Sequence, residues 1–233
     1  MLLNSFPSET AIPSRKIEHV DRIAAIISDF GLEDFFSIAY LHRHHEVPEG
    51  KVLLGKLVDE GVWTTARAIS DIDLKRTHPH VLSVVVQTGS DGSQEIRILP
   101  SEFFDGPSQK HADIDPEFFK AFVAYICGNN LTSIIGLAVK HFDFGSMVEF
   151  SFPTGNLLIQ KKEVKPNDNH LWLVTKWPVR SGAVAPEDGH VCAIVRDKDG
   201  NAIAHVKHEI KVNNSSEALK YLEQRDLLLE GEE

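Results

Sequence analysis

Hydrophobic residues in three segments of the chain recur every three or four positions, which predicts three amphipathic helices. The first covers residues 17–30 and stops at Gly31. The second follows Asp115, a good N-cap residue, and has Pro116 at its first position. The third begins at Ser216 near the C-terminus.

The remaining apolar runs are short and are bounded by Gly, Pro, Asp or Asn, which predicts β-strands joined by tight turns. Pro100–Asp115 is rich in such breakers and is predicted to be a connector. The predicted strands and hairpins are Phe35–His44, Val52–Val58 with Val62–Ile69, Val81–Thr88 with Gln94–Leu99, Leu131–His141, Met147–Phe152 with Asn156–Val164, His170–Trp177, and Gly189–Arg196 with Asn201–Val212.

The order of helix, strand, turn and hairpin occurs twice along the chain. Arg43-His44-His45-Glu46 aligns with Lys140-His141-Phe142-Asp143, basic with basic, His with His and acid with acid. This predicts an internal duplication. We expect a flexible arm at residues 1–16, a first half at 17–106 and a second half at 107–233, packed as one globular unit. The predicted fold class is α+β, with predominantly antiparallel sheet or sheets and a few helices.

Charge and composition narrow the class of partner. The 233 residues carry a net charge of −10, which disfavours binding to nucleic acid. No secretory signal and no apolar run of membrane-spanning length is present, so we expect no membrane partner and a cytoplasmic protein. Cys127 and Cys192 offer no disulfide framework and are expected to be small buried residues in a reducing compartment. A small-molecule partner and a homo-oligomer are both compatible with the sequence.

The strongest candidate for chemistry is the histidine cluster Leu41-His42-Arg43-His44-His45-Glu46. On a strand, His42 and His44 point to the same face, roughly 6.5–7 Å apart at their Cα atoms. Two such imidazoles can bind a metal. Either one, near Tyr40 and a carboxylate, can also act as a general base. The catalytic candidates are therefore His42, His44 and Tyr40.

The spacing of His42, His44 and Glu49 is H-x-H-x4-E, with Gly55 following. This pattern resembles the first motif of cupins. The resemblance implies that these three residues are metal ligands, although no second cupin motif follows. Two histidines and a carboxylate suit a divalent metal such as zinc, iron or manganese.

The aligned halves make His141 the counterpart of His44, and Val139 the counterpart of His42. A site shared by two halves resembles that of the vicinal-oxygen-chelate family and implies that His141 is a further ligand. That family, however, places its helix after the first strand of each module rather than before it. The segment Phe36–Leu54 also resembles fungal proteins in which a strand ends in Leu-His-x-His, and this resemblance implies no activity.

Two functions follow from these observations. One is a small-molecule enzyme of lyase, isomerase or hydrolase type, with a metal or a histidine acid–base group beside the strand end at His42 and His44. The other is a non-catalytic module that binds a ligand or protein and in which the histidines are structural. Phosphate-loop, dinucleotide and nucleophile-elbow motifs are absent from the sequence.

Overall fold

The computed structural model describes residues 2–8, 17–44, 46–59, 61–107, 113–141, 145–165, 170–196, 202–203 and 212–229. Three α-helices lie in this part of the chain: α1 (Ile17–Asp29), α2 (Pro116–Gly128) and α3 (Ser215–Gln224). The strands are β1 (Phe36–Tyr40), β2 (Lys51–Val58), β3 (Gly61–Ala68), β4 (Thr77–Thr88), β5 (Gln94–Asp105), β6 (Ile135–Val139), β7 (Met147–Phe152), β8 (Gly155–Gln160), β9 (His170–Arg180), β10 (Ala183–Val184), β11 (His190–Arg196) and β12 (Ala202–Ile203).

Ten of these strands close into a barrel. The order is β9-β1-β6-β4-β5-β2-β3-β8-β7-β11, and β11 pairs back onto β9. The predicted α+β fold, with predominantly antiparallel sheet or sheets and a few helices, is therefore wrong. Two of the pairings, β2–β5 and β7–β11, are also parallel. Closure depends on pairs of strands that are distant in sequence, and hydrophobic spacing within one segment carries no information about them.

The helices cover the outside of this barrel. α1 and α2 pack over the outer faces of β1 and β6, where Ile23, Ile27, Phe118, Phe122 and Ile126 are fully buried. α3 packs through Ala218 and Leu222 over β7, β8 and β11. No described helix has both the length and the apolar composition needed to cross a membrane.

Strand residues alternate between the helix-covered face and the barrel interior. In β7, Val148 and Phe150 face the α3 side, while Met147 faces the interior. Both faces are buried, so these strands have nearly continuous apolar sequences. The N-terminal segment adds Phe6, which is 4% exposed, to the interior cluster.

The two halves of the chain have matching strand pairings. β2–β3 and β2–β5 in the first half correspond to β7–β8 and β7–β11 in the second, and β4–β5 corresponds to β9–β11. The halves meet at β1–β9, β1–β6, β4–β6 and β3–β8. Each half thus contributes five strands to the ring.

Several predicted boundaries change. β1 ends at Tyr40, so His42 and His44 lie in the segment after the strand rather than on it. β5 continues through Pro100 to Asp105, where the sequence predicted a connector. Proline is tolerated there because Leu82, its partner on β4, lies next to a register shift in the ladder. Most of the predicted strand Asn201–Val212 lies outside the described residues.

Candidate metal centre

Four metal-ligating side chains converge at one point inside the barrel. His42 and His44 enter from the segment after β1, Glu149 from β7 and Cys192 from β11. Glu149 and Cys192 are directly paired in the parallel β7–β11 ladder, which sets them side by side on the interior face. One ligand atom from each of the four residues lies within 4.8 Å of the others.

The individual distances are short. The two histidine Nε2 atoms are 3.1 Å apart, and Cys192 Sγ lies 3.3 Å from His42 Nε2 and 3.8 Å from His44 Nε2. Glu149 Oε1 is 3.4 Å from His44 Nε2, and Glu149 Oε2 is 3.3 Å from Cys192 Sγ. The three distances among His42, His44 and Cys192 resemble the edges of one face of a tetrahedron around a metal ion, and Glu149 approaches His44 with one oxygen and Cys192 with the other. With metal–ligand bonds of the lengths zinc prefers, those edges are about 3.3–3.6 Å.

A backbone contact orients the His42 ring. Its Nδ1 lies 2.9 Å from the carbonyl oxygen of Tyr40. A carbonyl oxygen only accepts, so Nδ1 carries the hydrogen, and Nε2 of the neutral ring directs its lone pair at the other three ligands. Histidine ligands of metals are commonly held in this way by a carbonyl oxygen.

Burial and charge together set the protonation of the cluster. The side chains of His44 and Glu149 are 7% and 13% exposed. Burial disfavours the charged form of His44, but the Glu149 carboxylate and Cys192 outweigh it and raise its pKa well above the ordinary value. Burial alone would raise the pKa of Glu149, yet the adjacent His44 cation lowers it far below the usual range. Without a metal, His44 and Glu149 therefore form a buried ion pair.

The donor set has a balanced charge for a dication. A Cys192 thiolate and a Glu149 carboxylate supply two negative charges, and two neutral imidazoles supply none. A divalent ion would therefore form an electrically neutral centre, which suits a buried position. Thiolate and imidazole donors together favour zinc or copper over magnesium, calcium or manganese.

The structure places the other predicted site residues elsewhere. Glu49 lies in an exposed turn before β2. The Tyr40 ring packs against Trp177 at 5.3 Å in the cluster beneath α1 and α2, and the Tyr40 carbonyl oxygen contacts His42. His141 stacks on Phe104, with ring centroids 4.9 Å apart, and its Nε2 lies 2.8 Å from the carbonyl oxygen of Pro79.

The pairing of the halves explains the different surroundings of His44 and His141. Glu149 lies three residues before the end of β7, and Gly55 holds the same place in β2. Glu149 pairs with Cys192 across one parallel ladder, and Gly55 pairs with Phe104 across the other. His44 thus meets a carboxylate and a thiol, whereas its counterpart His141 meets a phenyl ring.

Sequence reasoning did not identify Glu149 and Cys192 as site residues. The available signal was a single charged residue within the apolar strand Met147–Phe152. An acidic residue at an alternate position of a doubly buried strand needs a buried partner. The sequence does not say which residue that partner is.

Two cavities adjoin the centre. The inner cavity, of about 30 Å³, is lined by His42, His44 and Glu149, and also by Glu102, whose pKa is raised by burial. The outer cavity, of about 340 Å³, lies between β9, the end of β6 and His141. Lys176, His80 and His190 line both cavities and form the wall between them.

Comparison of the chain with protein-family models, with curated proteins and with solved structures gives no significant match.

Proposed function

We propose that this protein is a metal-dependent small-molecule enzyme that holds one divalent transition-metal ion at His42, His44, Glu149 and Cys192. The observation that carries the proposal is the convergence of four donors of metal-ligating type within 4.8 Å of one another, beside a cavity. A dication in such a site would act as a Lewis acid or lower the pKa of a bound water. This chemistry serves hydrolases and lyases alike.

The fit of the residues favours zinc. Zinc accepts nitrogen, sulfur and oxygen ligands in tetrahedral geometry, and the orienting contact from His42 to the Tyr40 carbonyl is the kind that zinc sites use. A thiolate ligand also requires a reducing compartment, and both cysteines are free. We therefore place the protein in the cytoplasm.

Metal binding is tested with tag-free protein titrated with Zn²⁺ and, separately, with Co²⁺. We expect one ion per chain, and a cobalt spectrum with a thiolate charge-transfer band. Cys192→Ser should remove that band and weaken zinc binding by at least about 100-fold, since losing even a supporting residue of a metal site costs 10–100-fold. Cys127→Ser is the matched control and should leave both unchanged. If wild-type protein binds no stoichiometric ion, or if Cys192→Ser keeps the wild-type spectrum, the proposal fails.

Catalysis is tested separately on zinc-loaded protein with 4-nitrophenyl acetate and 4-nitrophenyl phosphate. Turnover that Cys192→Ser abolishes and Cys127→Ser retains would support an enzyme. Stoichiometric zinc binding without turnover of either compound would instead favour the second candidate, a non-catalytic ligand-binding module. The open outer cavity, which is large enough for a small ligand, is the observation behind that candidate.

A further inference from the structure

The wall between the two cavities contains a lysine with an unusual set of neighbours. Lys176 lies on β9, between its partners Ala39 of β1 and His190 of β11. Its Nζ is 3.0 Å from His80 Nε2. Among the residues that the structure describes, no carboxylate oxygen lies within 4.0 Å of this ammonium group.

The His80 imidazole cannot neutralise that charge. Burial and the adjacent Lys176 cation lower the pKa of His80 well below its usual value, so the ring is neutral and accepts a hydrogen bond from Lys176. An ammonium group has three donors, and this contact uses one of them. Lys176 also lowers the pKa of Glu149 electrostatically, but that carboxylate pairs with His44. A partly buried cation without an ion-pair partner of its own favours an anionic ligand.

Five charged residues line the outer cavity: the cationic Lys140, Lys176 and Arg180, and the anionic Asp34 and Asp188. Arg180 pairs with Asp188 at 2.8 Å, and Lys140 donates to the Glu33 carbonyl oxygen at 2.5 Å. The cavity is therefore locally cationic at Lys176, in a chain whose net charge is −10. A local reversal of the chain's overall charge at a cavity attracts ligands of opposite sign.

Three histidines that line the outer cavity each have a ring nitrogen without a hydrogen-bond partner in the described protein. In His80, His141 and His190 this atom is a buried Nδ1. Buried polar atoms without partners are uncommon, so the polar surroundings of this cavity are not explained by hydrogen bonds within the described fold.

Since Lys176, His80 and His190 also line the cavity that contains the candidate ligands His42, His44 and Glu149, we propose that the outer cavity binds a small anion, with its carboxylate or phosphate group held by Lys176. This inference rests on the proposed function, because it names the substrate class of the same site. The outer cavity has the volume of a small-metabolite pocket, whereas the inner one has room for about one water molecule. The body of the ligand therefore lies in the outer cavity, and only a small group reaches the metal side.

The test measures binding of inorganic phosphate and of succinate to zinc-loaded protein by calorimetry, with neutral 1,4-butanediol as the uncharged probe. We expect wild-type protein to bind at least one of the two anions and not the diol. The anion that binds more tightly shows whether the site prefers a phosphate or a carboxylate group. Lys176→Gln should weaken anion binding at least about tenfold, and Lys176→Arg should restore it to within a few-fold. Lys56→Gln, at an exposed lysine of β2, should have no effect.

Zinc affinity measured on the same variants separates the two proposals. If zinc binds and neither anion does, or if Lys176→Gln binds anions as wild type does, the anion inference fails while the metal centre stands. If wild-type protein binds anions through Lys176 but binds no zinc, the proposed metal function fails. Lys176→Gln with normal zinc affinity and lost anion affinity is the result we expect.

Discussion

At the scale of single residues, the candidate centre depends on which carboxylate reaches the histidines. The spacing of the sequence favoured Glu49, which is seven residues from His42. In the structure the carboxylate is that of Glu149, which lies 105 residues after His44 in the chain. Its strand β7 and the segment after β1 both direct side chains into the barrel interior. Proximity in sequence was a poor guide because Glu49 lies in a turn that faces solvent.

The two glutamates provide a matched test at this scale. Glu149→Gln removes an anionic ligand and leaves the His44 cation without its buried partner, so zinc affinity should fall by at least about 100-fold. Glu49→Gln changes an exposed side chain and should leave zinc affinity unchanged within about twofold. Competition with a chromophoric chelator measures both. Equal affinities in the two variants would contradict the assignment of Glu149.

A second residue-scale prediction concerns pH and His80. Its pKa is lowered in the folded protein, so between the unfolded pKa near 6.5 and the lower folded value the unfolded chain binds more protons. Stability from this group is therefore fully present above about pH 6.5 and is lost as the pH falls, by at most about 1.4 kcal/mol per pH unit.

Urea unfolding of metal-free protein between pH 7.5 and 5 tests the sign. We expect the free energy of unfolding to fall more steeply with decreasing pH in wild type than in His80→Gln. This holds even if the two proteins differ in stability at pH 7.5. His19→Gln alters a histidine whose Nδ1 contacts the Tyr125 hydroxyl on the outer helices, and it is the control. Identical slopes for wild type and His80→Gln would contradict a buried neutral imidazole.

At the scale of elements, the helices were predicted closely and the strands less so. The predicted helix starts at Ile17 and Pro116 are confirmed. A helix can be recognised in the sequence from local apolar spacing and capping residues. One such cap is Asp115, whose side chain accepts a hydrogen bond from Glu117 N. The end of β1 was misplaced by four residues because no Gly, Pro, Asp or Asn separates the apolar run from Leu41-His42-Arg43-His44. In that segment Arg43 forms an isolated bridge with Ser8 instead of continuing the strand.

The junction between β3 and β8 gives a prediction about elements. A Cβ at Gly61 would lie 1.9 Å from the Leu158 carbonyl oxygen, an atom held in the β-ladder that joins the two halves. Gly61→Ala should therefore destabilise the fold by roughly 1–3 kcal/mol or more. Gly128→Ala, at the end of α2 where nothing lies within 4 Å, should be close to neutral. Thermal unfolding compares them, and equal midpoints would contradict the close β3–β8 approach.

At the scale of the whole molecule, the candidate centre ties together parts of the ring from both halves. His42 and His44 follow β1 in the first half, and Glu149 and Cys192 belong to the second. A ligand that binds only the folded state stabilises it by about 4 kcal/mol at 1,000 times its dissociation constant. A metal ion bound to these four residues should therefore stabilise the closed barrel as a whole, because its ligands come from both halves of the chain.

Removal of the metal tests this at the same scale. Zinc-loaded protein should unfold at a higher temperature than chelator-treated protein, and the difference should grow with free zinc concentration. The same comparison on Cys192→Ser should show little or no zinc dependence. Zinc should also bind more weakly at acid pH, because it displaces the protons of the Cys192 thiol and of His44. A wild-type midpoint that does not respond to zinc would contradict the linkage.

The sequence by itself determined the helices and most hairpins, and it identified His42 and His44 as candidate site residues, because these features depend on local spacing, caps and turns. The barrel, the β7–β11 pairing and the neighbours of Lys176 came only from the tertiary structure. In β7 the polar Glu149 and Ser151 alternate with apolar residues, but the sequence does not say which face of the strand becomes the barrel interior, so the inward position of Glu149 came from the tertiary structure. Ligands that meet across more than 100 residues are selected by strand order, which only the closed ring specifies.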